Sequence, residues 1–212
     1  MAFNNQFEET YWSEIYFPYK IDGEFNSNKH IEYIYSFFKL HNYQIRNIID
    51  IGFGNGKLLK ETITKIKPNK VIAIDISNLK TNELLKKKWL RNTNFAVYNI
   101  DFLTFDTSNF EKKPFDLSIC NSVLQYIKSI EDLELCFIKL SKISKYVYMS
   151  IPTDKDYTLM KSKLNFTDRF AFQRTKDLYL HLIKKYFRII SYNILENKKL
   201  PDTILNSELF IF

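Results

Sequence analysis

Apolar residues along this 212-residue chain fall into short runs separated by stretches of helical period. The first run is Ile48-Ile49-Asp50-Ile51, followed by Leu59, Ile63 and Ile66 on one helical face, closed near Lys67 by Pro68. Val71-Ile72-Ala73-Ile74 forms a second run, and Ser77 or Asn78 can open a helix reaching about Arg91. A third run spans Phe95 to Tyr98, with a loop expected from Leu103 to Pro114. The fourth spans Phe115 to Asn121, ahead of a helix near 130–143 that carries Leu133, Cys136, Phe137 and Leu140. A fifth strand is expected at Tyr146 to Ile151, a last helix through Leu178, Leu182, Ile183 and Tyr186, a sixth strand at Phe187 to Leu195 and a seventh at Glu208 to Phe212. Before all of these, Ile31, Ile34, Tyr35 and Phe38 mark a first helix capped at Ser27 or Asn28. Strands alternating with helices predict an α/β fold, a mostly parallel sheet with helices on both faces. One domain is expected over 1–212, with 1–45 as an N-terminal lid segment and helix.

Glycine usage singles out one place. The chain has four glycines, and three of them, Gly52, Gly54 and Gly56, fall within five residues directly after the first run. Strand, glycine loop and helix together present backbone N–H groups to a ligand. The spacing is Asp50-x-Gly52-x-Gly54-x-Gly56. A dinucleotide fingerprint needs its third glycine at the position of Lys57, and a P-loop needs four residues between glycines and a hydroxyl after the lysine, so neither motif is present. A tight strand-to-helix turn without a ligand is the alternative.

The pattern resembles the first motif of the class I S-adenosylmethionine-dependent methyltransferases, a family with a Rossmann-like, seven-stranded sheet whose last strand is antiparallel. The resemblance covers roughly residues 45–212 and implies S-adenosylmethionine as cofactor. It implies that Asp50, Gly52, Phe53, Gly54 and Gly56 form the cofactor loop, with Asp50 fixing the loop or meeting the cofactor's amino group. Asp75 ends the second run nineteen residues after Gly56, where the family places a carboxylate on the ribose hydroxyls, with Ile76 beside it. Asp101 and Phe102 match the family's adenine-contacting acid and its apolar neighbour, and Asn121 ends the fourth strand behind the methionine half. The sites would gather beyond the carboxyl ends of the strands, together with Thr153.

Catalytic candidates are His30 at the start of the first helix, Tyr11 in the aromatic N-terminal segment, and the carboxylates Asp154 and Asp156 after the fifth strand. Each has a plain reading as a surface, packing or loop residue. His41 and His181 fall on helices away from the mouth and read as structural. Residues 1–27 hold Tyr11, Trp12, Tyr16 and Tyr19, too many rings to stay solvated, and are expected to pack over the strand ends.

Composition narrows the rest. The net charge is +7, yet 26 of 31 basic residues are lysine, which reads as a solvated face more than a phosphate-binding stripe. No Asn/Asp-Pro-Pro motif follows the fourth strand, and Cys120 lacks a preceding proline, which argues against amino- and C5-methylation of DNA bases. No cluster of His and Cys has metal-ligand spacing. Cys120 and Cys136 are expected as buried thiols in a reducing compartment, and with no membrane span or signal peptide seen the expected location is cytoplasmic. The reading is methyl transfer to an oxygen or nitrogen of a small molecule. Two others stay open: an RNA or protein methyltransferase using the basic surface, and a catalytically silent, methyltransferase-like binding subunit. Oligomeric state is not readable.

Overall fold

The structure is a computed structural model that describes residues 7–16, 27–91, 93–112 and 114–199. A short helix α1 (Glu9–Tyr11) runs into a wider turn at Trp12–Tyr16. The elements that follow are α2 (Ser27–Leu40), β1 (Asn47–Ile51), α3 (Lys57–Ile66), β2 (Lys70–Asp75) and α4 (Asn78–Leu85). Next come β3 (Phe95–Asn99), α5 (Ser108–Glu111), β4 (Phe115–Asn121), α6 (Ile130–Ile143) and β5 (Ser144–Ser150). The described chain closes with α7 (Asp154–Leu164), α8 (Lys176–Tyr186), β6 (Phe187–Ser191) and β7 (Ile194–Asn197).

The sheet has seven strands in the order β3-β2-β1-β4-β5-β7-β6. Strands β1 to β5 pair in parallel, and β7 pairs antiparallel with both β5 and β6. The order reverses at β1 and β4, so β1, β2 and β4 deliver their carboxyl ends to one crevice.

Alternation along the strands sorts side chains onto two faces. Ile49, Ile51, Ile72 and Ile74 pack with Leu133, Cys136, Phe137 and Leu140 of α6 and with Tyr179, Leu182 and Ile183 of α8. On the opposite face Ile48, Leu117, Ile119 and Tyr146 meet Ile31, Ile34 and Phe38 of α2. Val71 and Ala73, in register with Ile48 and Asp50, continue that face under Leu59 of α3 and Leu84 of α4. A buried leucine or isoleucine contributes roughly 1.5–3 kcal/mol, so this two-sided core anchors the strand ends that carry the site.

Three boundaries differ from the sequence reading. The expected strand Phe187 to Leu195 is a hairpin of two strands, because Asn193 takes φ 58° and turns the chain between Ser191 and Ile194. The seventh strand is therefore Ile194–Asn197, and the stretch Glu208 to Phe212 lies outside the described residues, as does Tyr19. The helix after β2 ends at Leu85, with a tight turn at Lys88–Leu90 in place of its expected second half. Asp154–Leu164 is a full helix, started by a capping box in which Asp156 accepts from the Thr153 backbone N–H at 2.8 Å.

Candidate active site

A cavity of about 610 Å³ opens at the carboxyl ends of β1, β2 and β4. Its floor is the glycine loop. Gly52 and Gly54 take φ of 70° and 55°, conformations that side chains strain to adopt. A Cβ on Gly52 would also lie 2.3 Å from a methyl of Val123, and one on Gly54 would lie 3.3 Å from the Trp12 ring. Sequence thus leaves glycine here for two reasons, backbone conformation and close approach.

Asp75 holds the loop. Its carboxylate accepts the Gly54 N–H and the Ser77 N–H, each at 2.8 Å. Burial pushes the Asp75 carboxyl up to about 6, those two backbone bonds pulling against it. Asp50 is buried beneath the loop, and desolvation, with the neighbouring Asp75 charge, raises it to about 8. Near neutral pH Asp75 is therefore mostly an ionised acceptor, while Asp50 holds its proton and gives it up when positive charge is placed beside it.

The remaining cofactor candidates gather in the same cavity. Phe53, Ile76, Asp101, Phe102 and Asn121 all line it, and Asp101 shapes its turn by accepting the Leu103 N–H at 2.9 Å. Gly56 is the exception among the named loop residues: it begins α3 with φ 71° and packs toward Leu84. Asn121 Oδ1 and Gln125 Oε1 are buried with no hydrogen-bond partner among the described residues. An unmet buried acceptor costs about 1–3 kcal/mol, and both of these residues line the cavity, where a ligand can supply donors. Gln125 was missed by sequence reasoning; its only signal is a polar residue inside the apolar run Val123-Leu124-Gln125-Tyr126-Ile127.

Of the catalytic candidates, His30 and Tyr11 line the cavity and Asp154 does not. Asp154 sits at the first turn of α7, where its carboxylate accepts the Lys155 N–H. Asp156 lines the cavity instead, while Thr153 caps the helix outside the lining. His30 is half-buried, bonds the Tyr148 hydroxyl through Nδ1, and is held below its usual pKa by desolvation. Tyr11 shares a 2.8 Å hydrogen bond with Tyr126, whose hydroxyl donates to Asp168 Oδ2 at 2.9 Å. Tyr126 and Asp168 were likewise missed, because a contact across 42 residues leaves no local pattern.

Residues 7–16 roof the cavity. Phe7, Tyr11, Trp12 and Ile15 line it, with Trp12 over Gly54 and its indole N–H donating to the Phe7 carbonyl at 2.9 Å. Glu8 accepts the Asn78 and Leu79 N–H groups at 2.7 and 3.0 Å, filling the start of α4. Glu14 pairs with Arg169 at 2.5 Å on the other side. Cys136 also lines the cavity, but burial pushes its thiol up to about 12, so it offers no thiolate near neutral pH. Both cysteines are free and buried. Among the described residues no cluster of three or more His, Cys, Asp or Glu could hold a metal, and no helix is long and apolar enough to cross a membrane.

Comparison with known proteins agrees with this geometry. The family described as a methyltransferase domain matches residues 45–197. A search of curated proteins returns no match. Among solved structures, the N-methyltransferase NodS from Bradyrhizobium japonicum WM9, in complex with S-adenosylhomocysteine, superposes with a TM-score of 0.60 at 12% identity, over 82% of this chain and 88% of that one. Magnesium protoporphyrin IX methyltransferase from Synechocystis PCC 6803, with the same bound product, gives 0.58 at 16% identity, over 80% and 81%. The plantazolicin methyltransferase BpumL, also with S-adenosylhomocysteine, gives 0.60 at 14% identity, over 76% and 64%.

The residues fit such a cofactor. Asp75 retains acceptor capacity for two ribose hydroxyls beyond its two backbone bonds, since a carboxylate has about four lone-pair sites. Buried Asp50 and the unmet oxygens of Asn121 and Gln125 suit an ammonium and other donors. With an Asp-x-Gly-x-Gly-x-Gly loop, a buried carboxylate at the end of β2, β7 inserted antiparallel beside β5 and the family match over residues 45–197, the chain belongs to the class I S-adenosylmethionine-dependent methyltransferases.

Proposed function

We propose that the protein methylates an oxygen or nitrogen of a small molecule bound beside the cofactor in the roofed cavity. The observation that carries this reading is the enclosure itself. About 610 Å³ lies between the glycine loop and the aromatic residues of the N-terminal segment, on the scale of a small-molecule site. The cofactor residues take one part of that space. Tyr11, Tyr126, Tyr157, Met160, Phe166 and Asp168 line another, which is mostly apolar with a few polar groups.

The cofactor supplies an electrophilic sulfonium methyl. The protein's task is to hold a nucleophile in line with it at about 3–3.5 Å and to exclude water. Trp12 covers the glycine loop, and the Tyr11 and Tyr126 hydroxyls can orient an acceptor. The same contacts support a lid role for residues 7–16: Glu8 on α4, Tyr11 on Tyr126, and Glu14 on Arg169. NodS is named an N-methyltransferase, which supports nitrogen as an acceptor atom, and BpumL is named a plantazolicin methyltransferase.

The test is a cofactor-product release assay over small amines, alcohols and phenols, with RNA and a protein extract as competitors for the reading. Turnover on one or more small molecules is expected. Methyl transfer to RNA or to protein at about 0.15 M salt, with none to small molecules, would overturn it.

A further inference from the structure

One chain of hydrogen bonds in the cavity wall has a direction. The Tyr126 hydroxyl donates to Asp168 Oδ2 at 2.9 Å, which uses its single proton. The 2.8 Å contact between Tyr11 and Tyr126 must then be donated by Tyr11. The Tyr11 oxygen therefore faces any further partner as an acceptor. Asp168 is 4% exposed, and its other oxygen accepts the Phe170 N–H at 2.9 Å, so its orientation is fixed. Burial holds the Asp168 carboxyl above its usual range and the Tyr126 phenol well above its own. A proton entering at Tyr11 would thus pass Tyr126 without ionising it and rest on Asp168.

The surroundings favour positive charge. Six aspartates line the cavity, Asp50, Asp75, Asp101, Asp132, Asp156 and Asp168, against two lysines, Lys57 and Lys128, in a protein whose net charge is +7. Aromatic rings gather at the head of the relay. Phe7 lies 5.0 Å from Tyr126, Tyr11 lies 5.7 Å from it, and Phe170 lies 5.9 Å from Tyr11, centroid to centroid. Ring faces and a carboxylate together attract an organic cation. An anionic acceptor would meet a surplus of carboxylates.

We propose that the acceptor is an amine, which enters as its ammonium ion and passes one proton through Tyr11 and Tyr126 to Asp168 before methyl transfer. This rests on the methyltransferase reading above. The ammonium N–H bond breaks and its proton goes to the Tyr11 oxygen. The Tyr11 proton moves to Tyr126, and the Tyr126 proton to Asp168 Oδ2, leaving both phenols neutral and the carboxylate protonated. The freed nitrogen lone pair then forms the bond to the methyl carbon, the carbon–sulfur bond breaks, and its electron pair stays on sulfur. The methylated ammonium leaves with the positive charge, and the Asp168 proton returns through Tyr126 and Tyr11 to the emptied cavity. Desolvation lowers an alkylammonium from about 10.4 while burial raises the Asp168 carboxyl, so the two approach each other. An alkyl hydroxyl, near water's value of about 15.7, starts much further away. Tyr11 would touch the acceptor and be catalytic; Tyr126 and Asp168 are positioning residues acting through it.

The test uses the full chain and matched probes: 2-phenylethylamine, benzylamine and cyclohexylamine against 2-phenylethanol, benzyl alcohol and cyclohexanol. Calorimetry on protein saturated with S-adenosylhomocysteine should show at least one amine binding about ten-fold tighter than its alcohol. With S-adenosylmethionine the same amine should be methylated. Asp168→Asn should abolish the charge preference and lower kcat by about 100-fold or more, with cofactor affinity unchanged. Tyr11→Phe leaves Tyr126 and Asp168 bonded, and should lower kcat similarly if Asp168→Asn fails to fold. Alcohols bound or methylated as well as amines, no binding of any amine, or a preference that survives both substitutions would overturn the proposal. Failure of the wild-type protein to bind S-adenosylhomocysteine would instead overturn the methyltransferase reading beneath it.

Discussion

At the scale of single residues, Asp75 does the most. It fixes the glycine loop through the Gly54 N–H, starts the turn into α4 through the Ser77 N–H, and lines the cavity. Asp75→Ala should weaken S-adenosylhomocysteine binding by about 1.5–3 kcal/mol, measured calorimetrically. Its neighbour Asp50 makes stability depend on pH. Burial raises its carboxyl from an ordinary 3.8 to about 8, and Asp75 from 3.8 to about 6. The folded state therefore holds protons that the unfolded chain releases, and the contribution of these groups to stability falls as pH rises from about 3.8 through about 8. Without cofactor, the melting temperature should decline between pH 6 and 8.5, and Asp50→Asn should flatten that decline. Gly52→Ala meets Val123 at 2.3 Å in a left-handed backbone. It should cost on the order of 1–3 kcal/mol in denaturant unfolding. The loop and the place of Asp75 beside it were legible in the sequence because a tight strand-to-helix turn needs glycine locally and the carboxylate lies at a short spacing after it. Asp168 and Gln125 were not, since their meaning comes from partners distant in the chain. Asp154 and Asp156 differ by two positions, and only the start of α7 decides that Asp156 faces the cavity while Asp154 does not.

Among the elements, the roof from Phe7 to Tyr16 is the one with the weakest independent footing. Among the described residues it has no strand partner, and its attachments include Glu8 on the N–H groups of α4, Tyr11 on Tyr126, Lys80 over the Trp12 ring at 4.3 Å, and the Glu14–Arg169 pair. The last is exposed and contributes about 0–1 kcal/mol. Glu8 does more, because it supplies a carboxylate to the first turn of a helix. Glu8→Ala should speed proteolysis within residues 7–16 and loosen cofactor binding several-fold, while the melting of the sheet domain stays cooperative. Unchanged protease resistance would show that ring packing alone holds the roof. Strands β1, β2, β4 and β5 were legible because two-sided burial writes apolar runs, the half-buried edge strand β3 because Phe95 to Tyr98 is one such run, and helix α6 because of its clear helical period. The β6–β7 hairpin was not, since Ile189, Ile190 and Ile194 read as one run and the turn depends on a single left-handed Asn193. The aromatic segment carries rings without a period, so packing could be expected from it but not its path.

On the scale of the molecule, charge and chemistry separate. The surface is basic, whereas carboxylates outnumber lysines in the cavity. A protein that used its lysines to hold RNA would lose affinity steeply with salt; here RNA binding should be weak at about 0.15 M salt and without sequence preference, as fluorescence anisotropy would show. The sheet order, the glycine loop and the roofed cavity instead converge on one ligand. Titration of the purified protein with S-adenosylhomocysteine in a calorimeter tests this most directly. Binding of one molecule per chain, with NAD and ATP showing no comparable affinity, is the predicted result. A folded protein that binds none of the three, or that prefers NAD or ATP, would contradict it.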